Sequence, residues 1–282
     1  MEYRKSPMNY IGNKYRIIEQ ISRFFPGHIG TFVDLFAGGL DVAINVKAGH
    51  VICNDINFFV IDLYREFQKL SEEEIFTYIN GRIQEYQLSK ENQEGFLRFR
   101  EYYNRSGQRP LDFYILICYS FNYQFRFNNE HQYNSPFGRN RSSFNETMQK
   151  NLRYFLGRIR EFEFTSEDFR KADLSGLKAG DFLYADPPYT ISTGSYNDGK
   201  RGFQGWSGKD DEALFHLLDG LDSRGIRFAL SNVSEHKGVR NEALIQWKKK
   251  YHTHRITFNY DNSNYHAANR NMVTKEILVT NY

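Results

Sequence analysis

Residues 31–39 have the sequence TFVDLFAGG, a β-branched and aromatic run that stops at a pair of glycines. This pattern predicts a buried strand and a tight turn, and Val42-Ala43-Ile44 behind it predicts the start of a helix. A second strand is predicted at residues 50–55, followed by a helix with apolar residues at helical spacing from Phe58 to Phe67. Two successive strand-helix units indicate a parallel sheet in an α/β protein.

The middle of the chain has a different pattern. Charged helical segments fill much of it, and residues 121–144 form a polar and aromatic stretch without clear strand signals. We therefore expect an inserted, mainly helical lobe at residues 61–164. The sheet domain would then be built from residues 1–60 and 165–282, at the two ends of the chain.

Sheet signals return in the second half of the chain. Strands are predicted at residues 181–186 and 226–231, with a helix near residues 210–221 between them. The closing segments, residues 251–260 and 273–280, alternate between apolar and polar positions, which suits an antiparallel β-hairpin. The predicted fold is therefore a Rossmann-like, mostly parallel α/β sheet with a C-terminal hairpin and an inserted lobe.

Composition limits the classes of function. The net charge of +3 and pI near 8.6 allow a polyanionic partner without requiring one. Cys53 and Cys118 are far apart and lack metal-ligand spacing, so we expect no disulfide framework, no zinc site and a reducing cytoplasm. His252 and His254 lie in a basic cluster at residues 248–255, but no cysteine or carboxylate at ligand spacing makes them metal ligands. We also expect neither secretion nor membrane insertion, because no apolar stretch is long enough.

Two predicted strand ends carry residues that suit a nucleotide-type ligand. Gly38 and Gly39 let the backbone approach a ligand closely, although a glycine pair is also common in simple turns. Asp55 follows the second strand, at a spacing where a carboxylate can accept hydrogen bonds from ribose hydroxyls; capping a helix, together with Asn57, is the alternative. Together these features fit a nucleoside-containing cofactor without distinguishing NAD from S-adenosylmethionine.

The tetrapeptide Asp186-Pro187-Pro188-Tyr189 is the strongest signal in the chain. The adenine amino nitrogen is a poor nucleophile because its lone pair is delocalised, so a methylating enzyme must draw its N–H bonds into acceptors. Asp186 and the carbonyl of Pro187 can be those acceptors, since proline fixes the backbone, and Tyr189 can stack on a base taken out of the duplex. A proline-rich turn would explain Pro187 and Pro188 but not the acidic and aromatic residues beside them.

Several motifs together resemble the Dam-type (D12, alpha-class) DNA adenine-N6 methyltransferases of bacteria and phages. The resemblance covers nearly the whole chain, and the motifs match in order and spacing. They are Asn9-Tyr10-Ile11-Gly12-Asn13-Lys14, Val33-Asp34-Leu35-Phe36-Ala37-Gly38-Gly39, Asn54-Asp55-Ile56, Asp186-Pro187-Pro188-Tyr189 and Leu230-Ser231-Asn232.

This resemblance implies a site for S-adenosylmethionine. Tyr10, Lys14, Asp55 and Asp186 would contact the cofactor. Phe36, the Ala37–Gly39 turn and Ile56 would complete its pocket. The sequence departs from the family at Leu40, where many relatives carry a third glycine, so the shape of this turn is open.

The inserted lobe contains segments that resemble the family's target-recognition hairpin, near residues 121–144. Arginines can pair with guanine, and aromatic and amide side chains can fill the gap that a flipped base leaves in the duplex. The alternative is a polar loop that contacts phosphates alone. Gln124 stands where relatives commonly have an aliphatic residue, so the family's frequent GATC target is open here. The segment from Thr190 to Trp206 is expected to close over the target adenine. The residues predicted to contact DNA are Asn122, Tyr123, Gln124, Arg126, Asn128, Pro136, Arg139, Asn140 and Arg141.

The sequence favours an adenine-specific DNA methyltransferase that acts on double-stranded DNA, encoded by a prokaryote or a phage. An NAD-dependent oxidoreductase is disfavoured, because residues 37–39 lack the spaced three-glycine fingerprint. An RNA substrate, cytosine N4 as the methyl acceptor and a non-catalytic DNA-binding role are the remaining alternatives. A cognate restriction endonuclease is the expected partner at the genetic level.

Overall fold

The computed structural model describes residues 2–191, 205–257 and 274–282. Within these residues the chain forms eight α-helices and eight β-strands. In chain order they are α1 (Ile18–Ser22), β1 (Thr31–Asp34), β2 (His50–Asn54), α2 (Phe58–Lys69), α3 (Glu72–Glu85), α4 (Gln93–Arg105), α5 (Pro110–Tyr119), α6 (Glu146–Ile159), β3 (Glu163–Thr165), β4 (Phe182–Ala185), α7 (Gly208–Ser223), β5 (Arg227–His236), β6 (Val239–Arg240), α8 (Glu242–Trp247), β7 (His252–Ile256) and β8 (Thr274–Thr280).

The strands form one mixed sheet in the order β3-β2-β1-β4-β5-β8-β7, with β6 paired to the end of β5. Strands β1 to β5 are parallel, and β8 is antiparallel to both β5 and β7. The predicted Rossmann-like α/β fold, with its antiparallel C-terminal strand pair, is confirmed. Strands β2 and β3 lie on one side of β1, and β4 and β5 lie on the other, so the strand order reverses between β1 and β4. Ligands bind at this point in sheets of this kind.

Apolar layers cover both faces of the sheet. Phe32 of β1 and Phe182 of β4 pack into the layer that contains α2, α5 and α6. Val33 and Leu183, the next residues, pack into the opposite layer with α7 and α8. Burial of both faces explains why these strands are continuous apolar runs in the sequence. It also leaves the carboxyl ends of the strands as the place where polar side chains collect.

Two local predictions differ from the structure. The helix predicted at Val42-Ala43-Ile44 is wrong, because this segment forms only a 3₁₀ turn over Ala43–Asn45. At the end of this turn, the Asn45 side-chain amide donates to the carbonyls of Arg4 and Asp41, each at 2.8 Å, and its oxygen accepts the Arg4 amide at 2.8 Å. The short strand β3 was not predicted, because three residues show too little alternation to be recognised.

The middle of the chain forms helices α3 to α6, and local sequence signals explain their boundaries. Ser71 and Glu74 form a capping box at the start of α3, and Asn145 caps α6. Helix α5 begins at Pro110 and is buried on nearly all sides, so it is the centre of the helical packing. Residues 121–144, all of which the structure describes, contain no regular strand but two isolated antiparallel bridges.

Part of the predicted hairpin at the C-terminus lies outside the described residues. The paired segments β7 and β8 are present, and residues 258–273 between them are not described. Cys53 and Cys118 are both buried free thiols. Among the described helices, none has the length and apolar character needed to cross a membrane.

Candidate active site

A cavity of about 290 Å³ lies at the carboxyl ends of β1, β2 and β4, beside the point where the strand order reverses. Every residue predicted for the cofactor or for catalysis lines it, although these residues are up to about 180 positions apart in the sequence. They are Tyr10, Lys14, Phe36, Ala37, Gly38, Gly39, Asp55, Ile56, Asp186, Pro187, Pro188 and Tyr189.

The glycine turn after β1 has two neighbours that explain its composition. Gly38 has a φ of +47°, and its amide donates to the Asp55 carboxylate at 2.8 Å. A β-carbon at position 38 would lie 3.3 Å from the Tyr10 ring, and one at position 39 would lie 3.1 Å from the Tyr10 β-carbon. Both glycines are therefore required by the close packing of the Tyr10 segment on the turn, as well as by any ligand.

Leu40 completes the same turn with an unusual backbone. Its φ is +65°, in the left-handed region, and its side chain is completely buried. This conformation costs a non-glycine residue about 1–2 kcal/mol. Burial of the leucine side chain contributes about 1.5–3 kcal/mol and can offset that cost. The buried side chain therefore allows Leu40 to adopt a backbone conformation that usually favours glycine.

Asp55 lies directly after β2 and is oriented by the backbone. Its Oδ2 accepts the Gly38 amide and its Oδ1 accepts the Asn57 amide, each at 2.8 Å. Burial raises the pKa of Asp55, and these two hydrogen bonds oppose that rise. Since each carboxylate oxygen has a second lone pair, Asp55 can still accept hydroxyl groups from a ligand.

Asp186 follows β4 and forms a buried ion pair with Lys14. The Lys14 Nζ lies 2.7 Å from the Asp186 Oδ2, and the two side chains are only 8% and 17% exposed. The Tyr189 hydroxyl donates to the Asp186 Oδ1 at 2.9 Å. Burial raises the pKa of Asp186, whereas the Lys14 charge and the hydrogen bonds from Lys14 and Tyr189 lower it. Lys14 therefore favours the ionised form of a carboxylate that lines the cavity.

Tyr189, the last residue of the tetrapeptide, contacts strand β8. Pro187 is buried, Pro188 is exposed and Tyr189 is half-buried. The Tyr189 hydroxyl also lies 3.4 Å from the Oε1 of Glu276, a residue of β8 that is 5% exposed. Glu276 could not be recognised from the sequence, because the contact joins residues 87 positions apart.

Two more buried carboxylates line the cavity and were not assigned a role from the sequence. Asp34, at the end of β1, is 2% exposed, and Asp41 is 4% exposed. One oxygen of each has no hydrogen-bond partner among the residues that the structure describes. Burial raises the pKa of Asp34 well above its usual range and that of Asp41 to about 7. In the sequence, the position of Asp34 at the end of an apolar run is the signal that could have identified it as a site residue.

Acidic side chains outnumber basic ones around the cavity. The remaining acidic side chains outnumber the basic ones even when Asp34 and Asp41 are protonated, which favours a ligand with positive charge. The unsatisfied buried oxygen at Asp34 favours a ligand that carries hydrogen-bond donors. In the described lining, the acidic residues are Asp34, Asp41, Asp55, Glu167, Asp168, Asp186 and Asp210, and the basic residues are Lys14, Arg126 and Arg170.

Phe36, Phe169 and Trp206 form an aromatic wall on one side of the cavity. Their ring centroids are 5.4 to 5.6 Å apart. Asp168, beside Phe169, accepts two hydrogen bonds from the Arg170 guanidinium, at 2.9 and 3.0 Å. Such a wall with a carboxylate at its edge can stack on a purine and accept its amino group. The sequence analysis assigned no role in ligand binding to Phe169.

Asparagine in place of Asp34 is expected to stabilise the protein while weakening its ligand site. The pKa of Asp34 is raised by burial first, and next by the carboxylates of Asp186 and Asp55. A carboxyl group with a raised pKa in the folded state makes folding less favourable as the pH rises from its usual pKa through the folded one. The variant should therefore gain about 1–3 kcal/mol of unfolding free energy at pH 8 and little at pH 4.

Urea unfolding at both pH values measures this difference. Asp173→Asn, at an exposed position outside the cavity lining, is the control: hydrogen bonds from Ser175 lower the pKa of Asp173, so this variant should gain no stability at pH 8. A loss of stability at pH 8 in the Asp34 variant would mean that the ionised carboxylate already has a stabilising partner.

The nine residues predicted to contact DNA lie in two neighbouring segments, residues 122–128 and 136–141. The bridges Ser120–Phe137 and Phe127–Tyr133 run antiparallel, so the chain reverses direction between the segments. We call this the hairpin surface. Its exposed members are Asn122, Arg126, Pro136, Arg139, Asn140 and Arg141, and its partly exposed members are Tyr123, Gln124 and Asn128.

Some of these side chains also shape the hairpin surface itself. Asn122 and Tyr123 both have left-handed backbones, with φ of +54° and +56°. The Tyr123 hydroxyl donates to the carbonyl of Arg141 at 3.3 Å. The Asn128 Oδ1 accepts two backbone amides of the following turn, at 3.0 and 2.9 Å. Arg139 donates to the Gln93 side chain at 2.8 Å.

The hairpin surface adjoins the cavity. Arg126 lines the cavity, and the Tyr10 ring meets Phe125 edge-on with a centroid distance of 5.4 Å. The Asn9 side chain donates to the carbonyl of Asn122 at 2.7 Å. The N-terminal motif therefore joins the hairpin surface to the glycine turn.

The remaining predicted features lie elsewhere. Residues 192–204 are outside the described part, so closure of the segment from Thr190 to Trp206 stays a prediction. In the basic cluster, Lys250 pairs with Asp219 at 2.7 Å, and His254 stacks on Phe24 with a centroid distance of 4.0 Å. Among the described residues, no group of three potential metal ligands is found.

Comparison with known proteins gives consistent matches. The chain is 48% identical to the type II methyltransferase M.FokI of Planomicrobium okeanokoites, over 99% of this chain and 43% of that protein. It is 46% identical to the modification methylase StsI of Streptococcus sanguinis, over 100% of this chain and 43% of that protein. The modification methylase LlaI of Lactococcus lactis subsp. lactis is 35% identical, over 100% of this chain and 44% of that protein.

The chain thus spans less than half the length of these three relatives. Residues 10–271 match the sequence profile of one family over nearly the whole chain, from the Tyr10 motif to beyond β7. The chain therefore belongs to the D12 class N6 adenine-specific DNA methyltransferase family.

Proposed function

We propose that this chain transfers a methyl group from S-adenosylmethionine to N6 of a flipped-out adenine in double-stranded DNA. The observation that carries this proposal is the buried Asp186 carboxyl group, paired with Lys14 at 2.7 Å, in a cavity lined by every residue expected for the cofactor. Family membership supports the reaction class. The acidic, aromatic lining supports a cofactor that combines a purine with positive charge.

S-adenosylmethionine, when bound, supplies a methyl group on a positively charged sulfur, which is a good electrophile. The unsatisfied oxygen of Asp34 and the excess of carboxylates suit that charge and the amino group of the cofactor. Asp55 would accept the ribose hydroxyls, since the backbone already orients both of its oxygens. The aromatic wall would stack on the purine, and Asp168 would accept its amino group.

Asp186 and the Pro187 carbonyl would act on the target adenine. Two acceptors aligned with the two N–H bonds favour a more tetrahedral nitrogen, whose lone pair is available for attack. The new bond joins N6 to the methyl carbon, the bond from that carbon to sulfur breaks, and N6 loses a proton, which Asp186 is placed to accept. Positioning supplies most of the rate, because no covalent bond to the protein is needed.

Residues 61–164 would form the target-recognition lobe, and residues 1–60 and 165–282 the catalytic domain. The position of Arg126 supports this division, because it extends from the hairpin surface to the cavity. A base that leaves the duplex under this surface would therefore be close to Asp186. The names of the relatives as modification methylases support a protective role against a cognate endonuclease.

Methylation of unmethylated genomic DNA by the purified chain tests the proposal. With S-adenosylmethionine present, single-molecule sequencing is expected to show N6-methyladenine clustered in one short motif, which would also identify the target sequence that Gln124 leaves open. N4-methylcytosine instead would replace the acceptor base in the proposal. Absence of any modified base, despite measurable cofactor binding, would overturn it.

Two substitutions on the hairpin surface are expected to separate phosphate contact from base readout. Arg141→Gln should reduce the slope of log affinity against log salt concentration by about one, because one phosphate contact is lost.

Gln124→Leu should leave that slope unchanged and reduce discrimination at one base position by about 1–3 kcal/mol. Fluorescence anisotropy with labelled duplexes at several salt concentrations measures both quantities.

Arg23→Gln is the control for loss of positive charge. Arg23 directly follows helix α1 and is exposed. It pairs with Glu19 at 2.6 Å and does not line the cavity. It should change neither slope nor specificity. If Arg141→Gln behaves like this control, Arg141 makes no phosphate contact.

A further inference from the structure

Asp211, in the first turn of α7, is a buried carboxylate that the proposed mechanism does not use. It is 1% exposed, and three side chains from separate segments donate to it. The Trp206 indole donates to its Oδ1 at 2.8 Å, and the Thr190 hydroxyl and the Asn241 amide donate to its Oδ2. Asp211 therefore ties together three parts of the chain.

Two of these donors belong to the cavity or border it. Trp206 is part of the aromatic wall, in contact with Phe36 and Phe169. Thr190 directly follows Tyr189, whose hydroxyl donates to Asp186. One carboxylate thus fixes the aromatic wall and the end of the tetrapeptide relative to each other.

Helix capping does not explain Asp211. The neighbouring Asp210 performs that task, since the Ser207 amide donates to its Oδ2 at 2.6 Å. Asp210 also pairs with Arg170. Asp211 is buried, and three side chains donate hydrogen bonds to it. These bonds offset the cost of burying a polar group.

We propose that Asp211 is a positioning residue, which sets the indole of Trp206 against the purine site and holds Thr190 at the end of the tetrapeptide. The inference rests on the proposed function, because it assumes that the cavity binds a purine cofactor. Removing Asp211 should weaken cofactor binding through Trp206, although Asp211 itself does not line the cavity.

The same helix offers a matched control. Asp219 accepts the indole of Trp247, the second tryptophan of the chain, at the same distance of 2.8 Å. Neither Asp219 nor Trp247 lines the cavity. Asp219→Ala therefore removes the same kind of hydrogen bond from the same helix without affecting the aromatic wall.

Isothermal titration with S-adenosylhomocysteine, which cannot react, measures affinity for each variant. Asp211→Ala is expected to raise the dissociation constant about tenfold, the factor that corresponds to loss of one hydrogen bond to a charged group, and Asp219→Ala should leave it within about twofold. In a Trp247→Phe background, Trp206 is the only tryptophan, and its emission should shift to longer wavelength in the Asp211 variant because the indole becomes more hydrated.

Trp206→Phe removes the same bond from the donor side and keeps an aromatic ring in the wall, so the test does not depend on the folding of Asp211→Ala alone. It should raise the dissociation constant to a similar extent, and adding Asp211→Ala to it should have a smaller effect than in the wild type. Unchanged affinity and emission in Asp211→Ala, or an effect no larger than that of Asp219→Ala, would overturn the inference. Failure of the unsubstituted protein to bind S-adenosylhomocysteine would instead contradict the proposed function.

Discussion

Asparagine in place of Asp186 is expected to lower the rate constant of methyl transfer by about 100- to 1000-fold, the usual effect of losing one oriented polar group at a reacting centre. Asparagine has nearly the same size and can still offer one oxygen to Lys14. Its amide group donates instead of accepting and carries no charge, so the adenine amino group loses an acceptor. Single-turnover kinetics at saturating DNA and cofactor measure this step separately from binding.

Asp173→Asn, the exposed control used above, should leave the same rate constant unchanged. The affinity for S-adenosylhomocysteine is measured in parallel, so that a folding or binding defect is not mistaken for a catalytic one. Near-normal transfer by the Asp186 variant, with normal affinity, would remove Asp186 from the mechanism.

Asparagine is more informative here than alanine because of the buried ion pair. The Lys14 ammonium is only 8% exposed and lies 2.7 Å from the Asp186 carboxylate. Alanine would remove the anion of this pair, and breaking a buried pair typically costs about 3–5 kcal/mol. A loss of activity in Asp186→Ala could therefore reflect local unfolding. The sequence alone gave no indication of this pairing.

The sheet could be predicted because its signals are local. Residues 31–36, 50–55, 181–186 and 226–231 are apolar runs that predict strands. The first three contain β1, β2 and β4, and the fourth covers the first half of β5, which continues to His236. Burial on both faces produces such runs directly. The edge strand β3 has only three residues, which is too short to show a period, and the 3₁₀ turn after Leu40 depends on contacts of Asn45 with the distant N-terminal segment.

The candidate site could be predicted only as far as its motifs extend. The tetrapeptide and the glycine turn are contiguous, so their chemistry is visible in the sequence. The partners that orient them are not, because Lys14 meets Asp186 from 172 residues away, and Glu276 reaches Tyr189 from β8. The sequence also does not show how deeply Asp34 is buried. Only the structure shows that one of its oxygens has no hydrogen-bond partner among the described residues.

Lys14 has two separable tasks, which the pH dependence of its variants should distinguish. It lowers the pKa of Asp186, which burial raises, and the family resemblance implies contact with the cofactor as well. Loss of cofactor contact would raise KM at every pH. Loss of the charge beside Asp186 would instead change the pH at which the carboxylate ionises, and therefore the pH dependence of kcat.

Glutamine in place of Lys14 is expected to move the acidic limb of the kcat profile to higher pH by about 1–3 units, because a nearby opposite charge lowers a carboxyl pKa by about that amount. The transfer rate should fall at a higher pH than in the wild type and recover towards the wild-type rate as Asp186 ionises. Turnover at saturating cofactor between pH 5 and 10 measures the limb, with Lys47→Gln, at an exposed position outside the cavity lining, as the charge control. A rate reduced equally at every pH would show that Lys14 does not control the ionisation of Asp186.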